Sequence, residues 1–133
     1  MRKILFVCHG NICRSVMAEY ILKSLTNEIY TESRAVSSEE YGNDIYGPAK
    51  DCLRRHNIKF DRHFARKITR EDYDNFDEIY VMDSSNMFLI NCLIKDDQHK
   101  IKKLCEKDVE DPWYTDNFDK VFDQIYEGIL KIL

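Results

Sequence analysis

The sequence predicts an α/β fold in which helices cover both faces of a parallel sheet. Short apolar segments with the length of buried strands alternate along the chain with segments of helical periodicity. The alternation runs through the whole sequence without a repeat, a low-complexity tract or a linker-like stretch. Strands that alternate with helices are joined by crossover connections, and these build parallel sheets. We therefore expect residues 1–133 to form one domain.

The first half of the chain predicts two strands separated by a helix. Residues 3–7 are short, apolar and bounded by charge, which indicates a buried strand. A helix is expected from Ser15, because apolar residues recur at helical spacing as far as Leu25 and Asn27 stands near its end. Residues 28–36 mix β-formers with polar residues and predict a second strand, and residues 37–47 are polar and loop-like.

The second half predicts two further strands and three helices. Pro48 favours the first turn of a helix that runs to about residue 56. Residues 78–82 and 101–105 predict strands, and between them a helix over 84–94 is capped by Asp83 or Ser84. The last helix is indicated by an apolar stripe that points to core packing, formed by Phe118, Val121, Phe122, Ile125, Tyr126, Ile129, Leu130 and Leu133.

Composition and charge narrow the class of protein. Of 133 residues, 44% are hydrophobic and 33% are charged, which is typical of a globular domain. The net charge of −4 provides no basic field for nucleic acid, and no apolar run has the length of a membrane span. The apolar stretch near the start is too short for a secretory signal. Five scattered cysteines argue against a disulfide framework, so we expect a cytoplasmic protein.

The segment VCHGNICRS, residues 7–15, lies where a predicted strand ends and a helix begins, which is where open α/β folds bind ligands. Backbone N–H groups and the helix dipole favour an anion there, and Gly10 is expected to permit a backbone conformation that most residues resist. Arg14 offers a planar fork to phosphate oxygens. The positive surroundings favour the thiolate form of Cys8, and Ser15 can donate a hydrogen bond to its sulfur. The pattern C-x5-R therefore predicts attack by a thiolate on phosphorus.

Three alternatives compete with this interpretation. A zinc site made by Cys8, His9 and Cys13 lacks a second ligand pair at the usual spacing, and the other histidines form no finger pattern. A Walker-type nucleotide loop requires G-x4-G-K-[ST], which the sequence does not contain. A structural loop around an inert, buried cysteine stays open on this pattern alone.

A second motif, DVEDPWY at residues 108–114, supplies acidic groups. Expulsion of an alkoxide or phenoxide from a phosphate ester is helped by a carboxylic acid that protonates the departing oxygen. Asp111, which is held by Pro112 and shielded by Trp113, is the candidate acid. Asp108 and Glu110 remain competitors, and a plain turn before the last helix is the alternative interpretation.

Together the two motifs resemble those of the low-molecular-weight protein tyrosine phosphatase family. That family carries V-C-x-G-N-I-C-R-S near the amino terminus and D-P-[YW]-Y near the carboxyl end, whereas larger tyrosine phosphatases place the acid before the cysteine. The stretches TESRAVS, HFARKIT and FDEIYVMDSSN are also similar to the family. The resemblance implies a four-stranded parallel sheet with helices on both faces and a phosphate-binding loop between the first strand and the first helix.

The resemblance also implies a protein-tyrosine-phosphatase that forms a phosphocysteine intermediate and uses neither a metal nor another cofactor. Cys8 corresponds to the nucleophile, Arg14 to the phosphate clamp, and Asp111 to the general acid and later base. The implied substrate-binding positions are His9, Gly10, Asn11, Ile12, Cys13, Arg14, Trp113 and Tyr114. The implied loop-supporting positions are Asn11, Ser15, Ser33 and His63. The implied ligands are phosphotyrosine-containing proteins or small aryl phosphates, with phosphate, sulfate or vanadate as site anions.

Several positions depart from the family pattern and leave the substrate preference open. His9 replaces the more usual leucine or threonine and is expected at the rim of the pocket. Val16 stands where proline is common at the start of the helix. Glu39 occupies a loop position where tryptophan often lines the cleft, and Tyr41 is the candidate to replace that tryptophan.

Single positions distinguish this chain from proteins with related activities. Arsenate reductases that share this loop need an additional close cysteine pair, whereas Cys92 and Cys105 are thirteen residues apart. Relatives that hydrolyse phosphoarginine tend to carry threonine where this chain has Ile12, and a branched aliphatic side chain suits the ring of phosphotyrosine. A phosphotyrosine-binding pseudoenzyme is disfavoured because nucleophile, clamp and acid are all present.

Cys13 is not required for attack on phosphorus. It is either a small apolar filler under the loop or a thiol that traps oxidised Cys8 as a reversible disulfide. The two interpretations stay open on the sequence.

Overall fold

The computed structural model describes residues 1–133 and contains a four-stranded parallel sheet with the strand order β2-β1-β3-β4. The strands are β1 (Arg2–Cys8), β2 (Ile29–Ala35), β3 (Glu78–Val81) and β4 (Ile101–Lys103). The helices are α1 (Arg14–Leu25), α2 (Gly47–Arg55), α3 (Arg70–Asn75), α4 (Ser84–Leu93), α5 (Pro112–Thr115) and α6 (Phe118–Ile132). The predicted α/β class, with a loop between the first strand and the first helix, is confirmed.

The sequence patterns do not predict two short helices, because neither helix is long enough to show an amphipathic period. Helix α3 has six residues and begins with a capping box in which Thr69 and Asp72 exchange side-chain and backbone hydrogen bonds. Helix α5 has four residues, and Asp111 caps it. The segment after Asp111, for which a plain turn is the alternative interpretation, is therefore one turn of helix. Strand β4 is also shorter than predicted, because its partner β3 ends at Val81 and the residues after Leu104 have no strand beside them.

The two faces of the sheet are both covered, as predicted. Along β1, Ile4 and Phe6 face the larger cluster of buried side chains, which α1, α2 and α6 complete. Leu5 and Val7 face the opposite side and pack in a smaller cluster to which α3 and α4 contribute. The central strand is thus apolar on both faces, which explains its continuous hydrophobic run. The predicted apolar stripe of the last helix includes two residues that do not pack in the core, because Leu130 and Leu133 remain about half exposed.

The strand register determines which residues meet at the carboxyl edge of the sheet. Cys8 lies opposite Ala35 on β2, and Val7 lies opposite Val81 on β3. From β1 the chain continues to β2 on one side of it, whereas β3 and β4 lie on its other side. This edge is therefore a topological switch point, where open α/β sheets bind ligands. None of the helices has the length and apolar character needed to cross a bilayer.

Candidate active site

A pocket of about 140 Å³ opens at this edge, around the loop that joins β1 to α1. Its lining consists of Cys8, His9, Gly10, Asn11, Ile12, Cys13, Arg14, Glu39, Glu40, Asp111, Trp113 and Tyr114. The structure thus brings together two motifs that are about a hundred residues apart in the chain. Glu40 is the one lining residue that the sequence analysis did not single out.

The loop owes its shape to Asn11, which adopts a left-handed backbone conformation with φ of 62°. Asparagine is one of the few residues that tolerate this conformation. The expectation that Gly10 supplies the unusual backbone is wrong, because its φ is not positive. Gly10 instead permits close packing, since a Cβ atom there would lie 3.2 Å from Glu40 Cγ.

The start of helix α1 faces the pocket without a competing side-chain cap. Cys13 occupies the cap position and makes no side-chain hydrogen bond to the helix, and the first turn contains no acidic residue. The first backbone N–H groups of a helix have no partners within the helix, and the helix dipole makes this end positive. The loop therefore presents an arrangement that suits an anion.

The sulfur of Cys8 is held by one group of the loop and one group of the first turn of α1. The Asn11 backbone N–H donates to Cys8 Sγ at 3.4 Å, and Ser15 Oγ lies 3.0 Å from Cys8 Sγ. Ser15 Oγ also accepts a hydrogen bond of 2.8 Å from Asn11 Nδ2. A hydroxyl has one hydrogen and two acceptor lone pairs, so Ser15 can accept from Asn11 and still donate its hydrogen to the ionised sulfur. A hydrogen bond donated to a thiolate stabilises that ionised form.

A second layer of hydrogen bonds holds Asn11 in place. Asn11 Nδ2 donates to Ser33 Oγ at 2.9 Å, and Ser33 donates to Glu19 Oε1 at 2.6 Å. His63 Nε2 contacts the Asn11 backbone oxygen at 2.8 Å and Oδ1 at 3.0 Å. Both contacts are to acceptors, so this nitrogen carries the proton and donates. Glu19 is not among the residues predicted from the sequence. Its one signal is that it is a charged residue among the apolar residues of α1 that are buried.

Arg14 is almost fully buried, with 3% of its side chain exposed. Its Nη1 donates to Asp83 Oδ2 at 2.7 Å and to the Val109 backbone oxygen at 2.9 Å, while Nη2 lies 3.4 Å from Asp111 Oδ2. Burial lowers the pKa of Arg14, but the neighbouring Cys8, Asp83 and Asp111 outweigh burial and raise the pKa above its ordinary value. The sequence identified Asp83 only as a possible helix cap, which it is, but it also orients Arg14.

Of the three acidic residues in DVEDPWY, the structure places only Asp111 in the pocket. Asp108 Oδ1 accepts from the Ser84 backbone N–H and hydroxyl and pairs with Lys103 Nζ at 2.6 Å. Glu110 pairs with Lys120 on α6 at 2.8 Å. Asp111 Oδ1 accepts the Trp113 N–H at 3.1 Å, which turns Oδ2 toward Arg14.

The rim of the pocket combines acidic and aromatic side chains. His9 lies there, as expected, with Nε2 at 3.2 Å from Glu39 Oε2. Trp113 is half exposed and packs against Tyr46, with ring centroids 4.7 Å apart. The expectation that Tyr41 replaces the tryptophan of the family is wrong. Its ring packs edge-on against Phe64 instead and lies outside the pocket lining.

Pocket size alone does not mark the site. A larger cleft of about 500 Å³ lies between β2 and α3 and is lined mainly by charged side chains. Its buried arginine, Arg34, is neutralised by Asp72 at 3.1 Å and Glu32 at 2.9 Å. No cysteine lines this cleft, so it lacks the thiol that the smaller pocket contains.

Comparison with known proteins identifies the family. The family model described as low molecular weight phosphotyrosine protein phosphatase matches residues 3–133. The chain belongs to this family. Among similar proteins, the phosphatase YfkJ of Bacillus subtilis is 36% identical, in a match that covers all of this chain and 94% of YfkJ. The low molecular weight phosphotyrosine protein phosphatase of Rattus norvegicus is 37% identical, in a match that covers 98% of this chain and 90% of the rat protein.

The fold of this low-molecular-weight phosphatase agrees with solved structures. The crystal structure of SP-PTP, a low molecular weight protein tyrosine phosphatase from Streptococcus pyogenes, matches with a TM-score of 0.96 at 36% identity. That match covers 100% of this chain and 91% of the streptococcal chain. The resemblance stated from the sequence is confirmed. So are the predicted fold and the predicted activity, cysteine-dependent hydrolysis of phosphotyrosine.

Proposed function

We propose that, in the single domain formed by residues 1–133, Cys8 is the nucleophile, Arg14 binds the phosphoryl group, and Asp111 is the general acid and base. The observation that carries this proposal is the convergence of the three side chains in one pocket. The Cys8 sulfur is held by hydrogen-bond donors, and Arg14 is a buried permanent cation. Asp111 is the carboxylate of its segment that lines the same pocket, beside Arg14.

In the first step, the Cys8 thiolate attacks the phosphorus atom of the substrate. A sulfur–phosphorus bond forms while the bond between phosphorus and the tyrosine oxygen breaks, and Asp111 gives its proton to that oxygen. The Arg14 guanidinium and the backbone N–H groups of residues 9–14 stabilise the negative charge on the phosphoryl oxygens. Asp83 and the Val109 oxygen hold one end of the guanidinium, so its fork is oriented before the substrate arrives.

In the second step, the Asp111 carboxylate accepts a proton from a water molecule that attacks the phosphocysteine. The sulfur–phosphorus bond breaks, inorganic phosphate is formed, and Cys8 leaves as a thiolate that the Ser15 hydroxyl stabilises. Ser33 and His63 support this step indirectly, because their hydrogen bonds hold Asn11 in place. Asn11 in turn holds Ser15 beside the sulfur.

The partners that this site suits are phosphotyrosine-containing proteins or small aryl phosphates, with phosphate, sulfate or vanadate as competing anions. Ile12, Trp113 and Tyr114 supply apolar surface for an aromatic ring. The net charge of −4 argues against nucleic-acid and anionic membrane partners. All five cysteines are free, which supports a cytoplasmic location.

We expect phosphotyrosine peptides to be hydrolysed much faster than phosphoserine peptides of otherwise identical sequence. Cys8 lines the pocket and is almost fully buried, so we expect that a short serine ester cannot bring its phosphorus to the sulfur. The measurement is kcat/KM for phosphate release from a matched panel that also contains a phosphoarginine peptide. Comparable rates for phosphotyrosine and phosphoserine, or a preference for phosphoarginine, would contradict the proposed substrate class.

We further propose that Cys13 protects Cys8 from irreversible oxidation. Both thiols are buried and line the same pocket. Burial and then the neighbouring Cys8 raise the pKa of Cys13 far above its usual range, so it stays a neutral thiol. Peroxide converts the Cys8 thiolate to a sulfenic acid and is reduced to water. The Cys13 thiol then attacks the Cys8 sulfur, a disulfide forms, and one water molecule is released.

For Cys13→Ser we expect normal turnover before peroxide treatment but much poorer recovery when dithiothreitol is added afterwards. Without the second thiol, the sulfenic acid of Cys8 proceeds to sulfinic acid, which dithiothreitol does not reduce. The measurement is recovered activity, together with mass spectrometry for a Cys8–Cys13 link in the wild type. Cys92→Ser, which removes an exposed thiol, is the matched control. A mutant that recovers as fully as wild type would disprove the protective role.

A further inference from the structure

A second cluster of reactive side chains lies where α2 packs against α6, outside the pocket lining. Cys52, His56 and Asp119 each place one potential ligand atom within 4.8 Å of those of the other two. His56 Nε2 is 3.1 Å from Asp119 Oδ1, and Cys52 Sγ is 3.7 Å from the same oxygen. Cys52 and His56 are four residues apart at the end of α2, so their side chains lie on the same helix face, toward α6.

We infer that Cys52, His56 and Asp119 form a binding site for a single zinc ion. Zinc in proteins lies about 2.3 Å from sulfur and about 2.0–2.2 Å from nitrogen or oxygen, in tetrahedral geometry. These bond lengths place sulfur and oxygen ligands about 3.5 Å apart and nitrogen and oxygen ligands about 3.3 Å apart. The separations in the structure, 3.7 Å and 3.1 Å, differ from those values by only a few tenths of an ångström. Thiolate, imidazole and carboxylate are all ligands that zinc accepts.

Neighbouring residues orient the His56 ligand and offer a fourth ligand beside Cys52. The His56 ring stacks on Phe122 with centroids 3.8 Å apart and planes 10° apart, which fixes the direction of its nitrogens. The backbone oxygen of Phe118 lies 3.5 Å from Cys52 Sγ, so either it or a water molecule can complete four ligands. When zinc binds, the sulfur–zinc bond replaces the sulfur–hydrogen bond of Cys52, and the proton passes to solvent without any change of oxidation state.

Arg55 competes with the metal for Asp119. Its Nη2 lies 3.1 Å from Asp119 Oδ1, the oxygen that both other ligands approach. The Arg55 side chain is half exposed and can swing into solvent when a cation takes its place. The alternative role of the cluster is a simple surface ion pair of Asp119 with Arg55 and His56, which requires no metal. The two roles differ in what they predict for removal of the arginine charge: a metal site should bind zinc more tightly, whereas a simple ion pair leaves zinc affinity unchanged.

The test is titration of the reduced full-length protein with Co²⁺, which replaces zinc and reports its ligands through optical absorption. We expect one equivalent to produce the charge-transfer band of a cobalt–thiolate bond and the visible bands of a tetrahedral site. Cys52→Ser should lose the charge-transfer band, whereas Cys8→Ser and Cys92→Ser should keep it. Absence of the bands in the wild type, their persistence in Cys52→Ser, or their loss in Cys8→Ser would each overturn the assignment.

Two surface variants keep the proposal testable if Cys52→Ser, which alters a buried residue, does not fold. Asp119→Asn should weaken Zn²⁺ binding by at least about 10- to 100-fold, the loss that is typical when even a group that only supports a metal ligand is removed. Arg55→Gln should instead tighten Zn²⁺ binding, because the competing charge is gone. Calorimetric titration with Zn²⁺ measures both changes. Equal affinity in all three proteins would show that the metal binds elsewhere and that the cluster is only an ion pair.

Discussion

Replacing Cys8 with serine is expected to abolish hydrolysis of phosphotyrosine while phosphate still binds the pocket. The loop stabilises a thiolate, but the pKa of a serine hydroxyl is too high for the same surroundings to ionise it. Phosphate binding depends on Arg14 and the backbone of the loop, which the substitution leaves in place. The measurement pairs steady-state turnover of a phosphotyrosine peptide with calorimetric titration of phosphate.

The control for this experiment is Cys92→Ser, which changes an exposed cysteine on α4 that lies outside the pocket lining. It should match the wild type in both turnover and phosphate binding. More than trace activity in Cys8→Ser would show that the nucleophile is another residue. Loss of both turnover and phosphate binding would show that Cys8 has a structural role in the loop.

Replacing Asp111 with asparagine is expected to reduce turnover by about 10² to 10⁴, the usual contribution of general acid–base catalysis. The loss should be largest for aryl phosphates whose phenols are weak acids, because their departing oxygen needs the proton most. With nitrophenyl phosphate, whose phenoxide leaves readily, the first step should be nearly unaffected. The measurement is single-turnover release of the phenol across a series of aryl phosphates.

Asp108→Asn is the matched control, because Asp108 lies in the same segment but pairs with Lys103 and Ser84. The Lys103 hydrogen bond lowers the pKa of Asp108, which favours its carboxylate form over the protonated acid. Asp108→Asn should show no dependence on the leaving group. An equal loss across all leaving groups in Asp111→Asn would assign Asp111 a structural role.

The features that could be predicted from the sequence are those with a local signature. The buried strands and the long helix α6 show their period in the hydrophobic pattern. The reactive loop shows its chemistry because Cys8 and Arg14 stand at fixed spacing between a strand and a helix. Family resemblance added the strand count and the positions of Ser33 and His63, which no local pattern reveals.

The features that could not be predicted depend on contacts between distant segments. Asp83 looks like an ordinary helix cap until β1 and β3 bring it beside Arg14. Glu19 looks like a surface residue of α1 until Ser33 on β2 binds its carboxylate. The sequence names Asp111 as the candidate acid, but the ion pairs that hold Asp108 and Glu110 outside the pocket, with Lys103 and Lys120, are visible only in the structure.

The most direct test of the account is identification of the residue that carries the phosphoryl group during turnover. Asp111→Asn is mixed with nitrophenyl phosphate, stopped within the first turnovers by rapid denaturation, and digested for mass spectrometry. The proposed mechanism predicts one phosphoryl group on the peptide that contains Cys8, with fragment ions that place it on Cys8 rather than Cys13. A phosphoryl group on any other residue, or none in a variant that still releases nitrophenol, would contradict the assignment of Cys8 as the nucleophile.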